Sequence, residues 1–254
     1  MKPLTNLWRK ALFSFILIAL SSAGRADLTP AALLQGKRAT VLVETDNARG
    51  FGSAFCIDAS GFFITNNHVV ISAGDGEISL VPHPGEKDQR TLQARVVRTD
   101  PALDLALLWT EKPGSLTALR LADTNDLIET ASVAAFGYPF RKDLSLGKDE
   151  YPSITVITGH ITALRKVHGE LRELQIDASV NPDTSGGPVL NSKGQVLGVA
   201  VAGIPGSGSN FAIPINDLTR FLDEVSVVLS PSALTAAHVQ EAKDFVIKVA
   251  AFRR

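Results

Sequence analysis

The sequence is poor in cysteine, in net charge and in long apolar runs. Cys56 is the only cysteine among 254 residues. That excludes an intrachain disulfide framework and any zinc site built from cysteines alone. A lone thiol also has no partner in its own chain to mispair with in an oxidising compartment. Lys and Arg number 25 against 26 Asp and Glu, a balance that argues against a nucleic-acid binder, which normally shows a basic face. No heptad pattern, collagen repeat or low-complexity tract runs through the chain. The most apolar stretch, ALFSFILIAL at 11–20, has ten residues. At ~1.5 Å per residue it spans ~15 Å, about half of a hydrocarbon core. What is present is 45% hydrophobic and 20% charged residues, which excludes a disordered chain. Gly (20) and Pro (13) are spread throughout, which implies many tight turns and short strands.

Lys2, Arg9 and Lys10 precede the apolar run, and Ser21, Ser22, Ala23, Gly24 and Ala26 supply small residues after it. This is the three-part layout of a secretory signal peptide over 1–26. Cleavage is expected after Ala26, with Ala23 as a rival site; the alternative is an uncleaved anchor. Cleavage removes Lys2, Arg9, Lys10 and Arg25 and no acidic residue, leaving 21 basic against 26 acidic groups, a charge of −5. The expected mature protein is soluble, mildly acidic, and secreted or periplasmic.

From residue 40 to 222 the apolar period is two, or short solid runs bounded by turn residues. Candidate strands are 40–44, 52–57, 62–66, 78–81, 91–99, 105–109, 132–136, 153–164, 173–177, 188–190, 196–201 and 210–214. A dozen short strands without long intervening helices predict an all-β sandwich or barrel. Helical period is expected only towards the ends: 29–39, 216–225 and 232–254. The stretches 52–61 and 186–194 share a layout of Gly, apolar strand, Asx, two residues, Gly. Either a duplicated unit or ordinary hairpin chemistry accounts for this echo, since Asx and Gly serve turns everywhere.

Three residues could form a catalytic set. His68 follows a strand in TNNHVV, Asp104 precedes one in DPALDLALL, and Ser185 sits in NPDTSGGPVL. Serine is a weak nucleophile that needs a base within hydrogen-bond reach, and the base needs an acceptor that fixes its tautomer. All three lie at strand edges, where a rigid sheet can hold a loop side chain.

TNNHVV, DPALDLALL and DASVNPDTSGGPVLNSKGQVLGV resemble the motif blocks of HtrA/Deg-type serine proteases of the chymotrypsin-like superfamily. GFGSAFCIDASGFFITNNHVV is similar to that family's first barrel and NFAIPI to its late strand. The resemblance covers about 39–222. It implies an all-β fold of two six-stranded antiparallel barrels with short terminal helices. The division is 27–38 as an N-terminal segment, 39–125 and 126–222 as the barrels, and 223–254 as a helical tail. It casts Ser185 as nucleophile, His68 as general base and Asp104 as orienting carboxylate, in the chymotrypsin order. The backbone N–H groups of Asp183 and Ser185 would form the oxyanion hole. Ser179, Ala202, Gly203, Ile204, Phe211 and Ala212 would line an apolar primary pocket, with Ser179 at its base and no carboxylate for Lys or Arg. Cleavage is therefore expected after small or medium aliphatic residues.

Two departures stand out. Only about 30 residues follow Leu222, too few for the PDZ domain usual in the family. The position two before the serine, usually glycine, is Asp183. Asp tolerates the left-handed region at a cost of ~1–2 kcal/mol, but its charge could oppose a developing oxyanion. The reading is an exported endopeptidase acting on unfolded or damaged proteins. Its alternatives are a protease-like binding protein whose oxyanion hole is disturbed at Asp183, and a different acyl hydrolase on the same scaffold. No cofactor, metal or nucleic acid is expected; partners are polypeptide substrates, with a trimer as the family's common assembly. His83, His160, His168 and His238 lack metal-ligand spacing to one another, and Cys56 is expected as a buried small hydrophobe. The loop 203–209 is expected beside the substrate cleft, and the charged loop 141–150 is read as a solvated connection or a regulatory loop near the site.

Overall fold

The computed structural model describes residues 28–45, 51–73, 77–138, 151, 153–181, 184–201, 203 and 209–228. The expected leader 1–26, the charged loop 141–150, most of the loop 203–209 and the expected helix 232–254 therefore lie largely or wholly outside the described residues, as do Asp183, Ala202 and Ile204.

Twelve strands run in chain order: β1 Thr40–Thr45, β2 Phe51–Asp58, β3 Phe62–Thr65, β4 Ile78–Pro82, β5 Leu92–Asp100, β6 Leu105–Trp109, β7 Ser132–Gly137, β8 Thr155–Val167, β9 Glu170–Ile176, β10 Pro188–Leu190, β11 Val196–Val201 and β12 Asn210–Pro214. They close into two antiparallel barrels, β1-β2-β3-β6-β5-β4 and β10-β11-β12-β9-β8-β7. Closure removes the unpaired edges that would otherwise invite aggregation. Counted from its own first strand, each barrel has the same order. The hairpins that echo in sequence are β2–β3 and β10–β11, which hold different positions in that order. Their likeness reflects turn chemistry: Asp58 Oδ1 accepts from the Ser60 N–H at 2.8 Å, and Asn191 Oδ1 accepts from the Lys193 N–H at 3.0 Å.

Strand faces explain the sequence pattern. β6 is buried along its whole length, so it reads as a solid apolar run. One core cluster runs through both barrels, from Phe55, Ile64, Leu107 and Trp109 to Phe136, Ile161, Val199 and Phe221. Helix α1 (Pro30–Ala39) has Thr29 as its cap, whose Oγ1 accepts from the Ala32 N–H at 3.2 Å. It packs on the second barrel: a Cβ on Gly36 would lie 2.6 Å from the Phe136 ring. The chain also reaches that barrel before residue 126, because the Val196 N–H donates to the Arg120 carbonyl at 2.9 Å.

Helical structure is not confined to the ends. A short helix α2 (Asn67–Val70) and a 3₁₀ turn (Ile71–Ala73) interrupt the first barrel after β3. Four residues cannot display a helical period, so pattern reading passes over them. Helix α3 (Ile215–Val228) follows β12 directly. Among the described residues, no helix is long and apolar enough to cross a membrane.

Candidate active site

His68 is held by the turn that follows β3. Asn66 caps α2 in extended backbone, and its side chain does not cap the helix but reaches the next hairpin. Asn66 Nδ2 donates to the Asp104 carbonyl at 2.9 Å, and the Asn67 N–H donates to the same carbonyl at 3.1 Å. The β5–β6 turn is shaped by Asp100, whose Oδ1 accepts from the N–H groups of Ala102 and Leu103. It delivers Asp104 in the left-handed region at φ 54°, and Leu105 then enters the core.

The Asp104 carboxylate grips His68 twice. Oδ1 accepts from the His68 backbone N–H at 2.9 Å, and Oδ2 lies 2.7 Å from Nδ1. A carboxylate only accepts hydrogen bonds, so Nδ1 carries the proton and Nε2 of the neutral ring is left as the base. The His68 side chain is 48% exposed, so the ring stands at the surface.

Ser185 comes from the second barrel, in the turn before β10, and its carbonyl accepts from the Ser53 N–H at 2.9 Å. Gly186 sits at φ +86°, and a Cβ there would fall 2.1 Å from the Ser53 carbonyl oxygen and 2.3 Å from Thr65 Oγ1. Only glycine allows both the dihedral and the approach. A Cβ on Gly52 would meet Val69, next to His68, at 2.8 Å and the Ser185 carbonyl oxygen at 3.1 Å. The serine turn thus rests against the backbone that carries the histidine. Ser185 itself is fully buried. Beside it, Asn66 Oδ1 and Thr184 Oγ1 are buried with no hydrogen-bond partner among the described residues.

Of the pocket residues, Ser179 is exposed, Gly203 and Phe211 are half-buried and Ala212 is buried. The Arg165 guanidinium lies 5.5 Å from the Phe211 ring centroid. Sequence reasoning missed Asn66, which reaches the Asp104 carbonyl through its side-chain amide, and Ser53, which reaches the Ser185 carbonyl through its backbone N–H, contacts that no motif records.

Among the described residues, one further group is spaced so that it could hold a metal ion: ligand atoms of His83, Glu86 and Asp88 lie within 4.8 Å of one another. Asp88 Oδ2 already lies 2.6 Å from His83 Nδ1, and that hydrogen bond holds the Asp88 carboxyl below its ordinary range. Cys56 is buried, and burial pushes its thiol up to about 12.

The chain is similar to known proteins. The chain is 34% identical over 189 residues to a probable periplasmic serine protease do/HhoA-like of Haemophilus influenzae, covering 70% of this chain and 37% of that one. It is 35% identical over 174 residues to the periplasmic serine endoprotease DegP of Escherichia coli, covering 65% and 33%. It is 32% identical over 189 residues to the chloroplastic protease Do-like 1 of Arabidopsis thaliana, covering 70% and 39%. The chain thus spans little more than a third of the length of these relatives. Residues 52–199, which carry all three candidate residues, match the model of the trypsin-like peptidase domain, and the chain belongs to that family.

Proposed function

We propose that this chain is an exported serine endopeptidase in which Ser185, His68 and Asp104 act as a triad. The observation that carries the reading is the double grip of Asp104 on His68, with the serine turn packed against the same backbone. Asp104 holds Nδ1 protonated, so Nε2 takes the proton of the Ser185 hydroxyl as its oxygen attacks the scissile carbonyl. His68 then returns that proton to the leaving amine, and water hydrolyses the acyl-enzyme by the same route. The N–H groups of Ser185 and Asp183 would receive the oxyanion. The substrates would be unfolded or damaged polypeptides, cut after small or medium aliphatic residues, because Ser179 offers no charge to Lys or Arg. A peptide-library profile led by Arg and Lys would refute that preference. A leader of the layout read at 1–26 would send the enzyme to the periplasm or outside the cell, and trimerisation is the assembly proposed by resemblance.

A second reading, a protease-like binding protein, is favoured by one observation: Ser185 is fully buried here. One experiment separates the two. The mature protein and its Ser185→Ala variant are treated with a fluorophosphonate probe and assayed on casein. Labelling and cleavage that vanish in Ser185→Ala, and equally in His68→Ala, support the enzyme. An intact fold without labelling supports the binder. In an active enzyme, Asp183→Gly is expected to keep or raise the turnover number. A tenfold fall, by active-site-titrated kinetics on one peptide, would show that the carboxylate assists the reaction.

A further inference from the structure

Ser53 lies in β2, fully buried, where three segments of the site converge. Its backbone N–H donates to the Ser185 carbonyl at 2.9 Å. Its carbonyl accepts from Thr65 Oγ1 at 2.7 Å, three residues before His68. Its Oγ accepts from the Tyr138 N–H at 2.9 Å, just past the end of β7. The fit leaves no slack. A Cβ on Gly186 would fall 2.1 Å from the Ser53 carbonyl oxygen, and one on Gly137 would fall 2.9 Å from Ser53 Oγ and 2.5 Å from Thr184 Cγ2.

These contacts bear on where a hydroxyl at position 185 points. Holding the Ser185 carbonyl fixes the plane of the peptide that follows it, one of the two peptide planes that together set the direction of the Ser185 Cα–Cβ bond. A reacting group displaced by about 1 Å can lose ~10²-fold in rate. The Ser53 N–H can hold that carbonyl only while Ser53 itself is held. Its strand neighbours hold it on one side, and the hydrogen bond from Tyr138 ties it to the second barrel on the other. We propose that Ser53 is a positioning residue for Ser185, its hydroxyl locking β2 to the end of β7 so that its N–H stays aimed at the Ser185 carbonyl. The proposal rests on the reading of Ser185 as nucleophile.

The test compares the wild type with Ser53→Ala, with Ser53→Cys, which keeps the shape but weakens the acceptor, and with Leu92→Ala, a truncation in the first-barrel core away from the polar contacts. Three quantities are read per folded molecule: the fluorophosphonate labelling rate of Ser185, kcat and KM on one peptide, and amide hydrogen exchange over 184–187. In Ser53→Ala, labelling and kcat should fall together by about tenfold to a hundredfold with KM within about twofold, the pattern of an interaction that matters in the transition state. Exchange over 184–187 should speed up by about tenfold or more, reporting on the Gly186 and Gly187 N–H bonds to the Ala200 and Thr184 carbonyls. Ser53→Cys should show a smaller change of the same kind, and Leu92→Ala should melt earlier with wild-type labelling and exchange. Unchanged exchange in both Ser53 variants, or equal changes in Leu92→Ala, would overturn the proposal. A wild type that is not labelled overturns the functional reading instead, while the exchange measurement still decides whether Ser53 holds the turn.

Discussion

Asp104 sits in a backbone conformation that most side chains avoid. Left-handed geometry costs ~1–2 kcal/mol, and Asp tolerates it better than most residues. Four hydrogen bonds, from Asn66 Nδ2 and the N–H of Asn67 to its carbonyl and from His68 N–H and Nδ1 to its carboxylate, hold it there. Asp104→Asn should keep the backbone clasp but present an amide that favours the other imidazole tautomer. A fall of roughly 10⁴ in kcat with little change in melting temperature is expected, and wild-type turnover would remove Asp104 from the triad. Cys56 gives a second residue-scale expectation. Buried, with its thiol pushed up to about 12, it has almost no thiolate at pH 8, and thiolate is the reactive form. A disulfide-exchange reagent should therefore titrate no thiol in the folded protein and one after unfolding. His68, Asp104 and Ser185 are legible as candidates because each is a chemical residue type beside a strand edge in a recognisable motif. Ser53 and Asn66 are not, because what matters in them is a backbone N–H, a hydroxyl serving as acceptor and an amide, whose partners Ser185, Tyr138 and Asp104 lie far along the chain.

At the scale of elements, strands with one or both faces buried were readable to within a residue or two. The β8–β9 hairpin shows where legibility thinned. The hairpin runs on to Val167 and begins again at Glu170, with Arg165, Lys166 and Val167 exposed. Exposed ladder ends carry no hydrophobic alternation and are held by backbone bonds alone. Helix α3 shows a contact that periodicity could not foresee. Arg98 of β5 in the first barrel lies 5.2 Å from the Phe221 ring and pairs with Glu224 at 2.5 Å. The Arg98 side chain is mostly buried, whereas Glu224 is half exposed. Stacking on the ring should therefore outweigh the ion pair, which solvent screens. Arg98→Ala is expected to cost about 1–2 kcal/mol in urea unfolding, and Glu224→Gln less than about 1 kcal/mol, with that smaller loss erased by salt. Equal losses in the two variants would reverse the ranking.

The whole molecule joins two closed barrels through a core that neither owns. The cluster containing Phe55, Ile64, Leu107 and Trp109 of the first barrel continues into Phe136, Leu190, Val199 and Phe221 on the other side. Polar ties cross the same boundary at Ser53 with Ser185, Ser53 with Tyr138, and Arg98 with Glu224. Separating the barrels would expose apolar faces and strand buried hydrogen-bonding groups, at ~1–3 kcal/mol for each group left unpaired. One cooperative transition is therefore expected, although each barrel is of domain size. The sequence supplies the reporter. Its two tryptophans are Trp8, in the expected leader, and Trp109, so a protein starting at Asp27 has one tryptophan, placed in β6 of the first barrel. Fluorescence then follows the first barrel while far-ultraviolet circular dichroism follows both. The two curves should superimpose across a urea titration, and labelling of Ser185 in an active protein should disappear along the same curve. A fluorescence transition at a lower urea concentration than the dichroism transition would show the first barrel unfolding on its own. The shared core would then be a contact between independent domains, and the site would depend on docking of the barrels, not on a single fold.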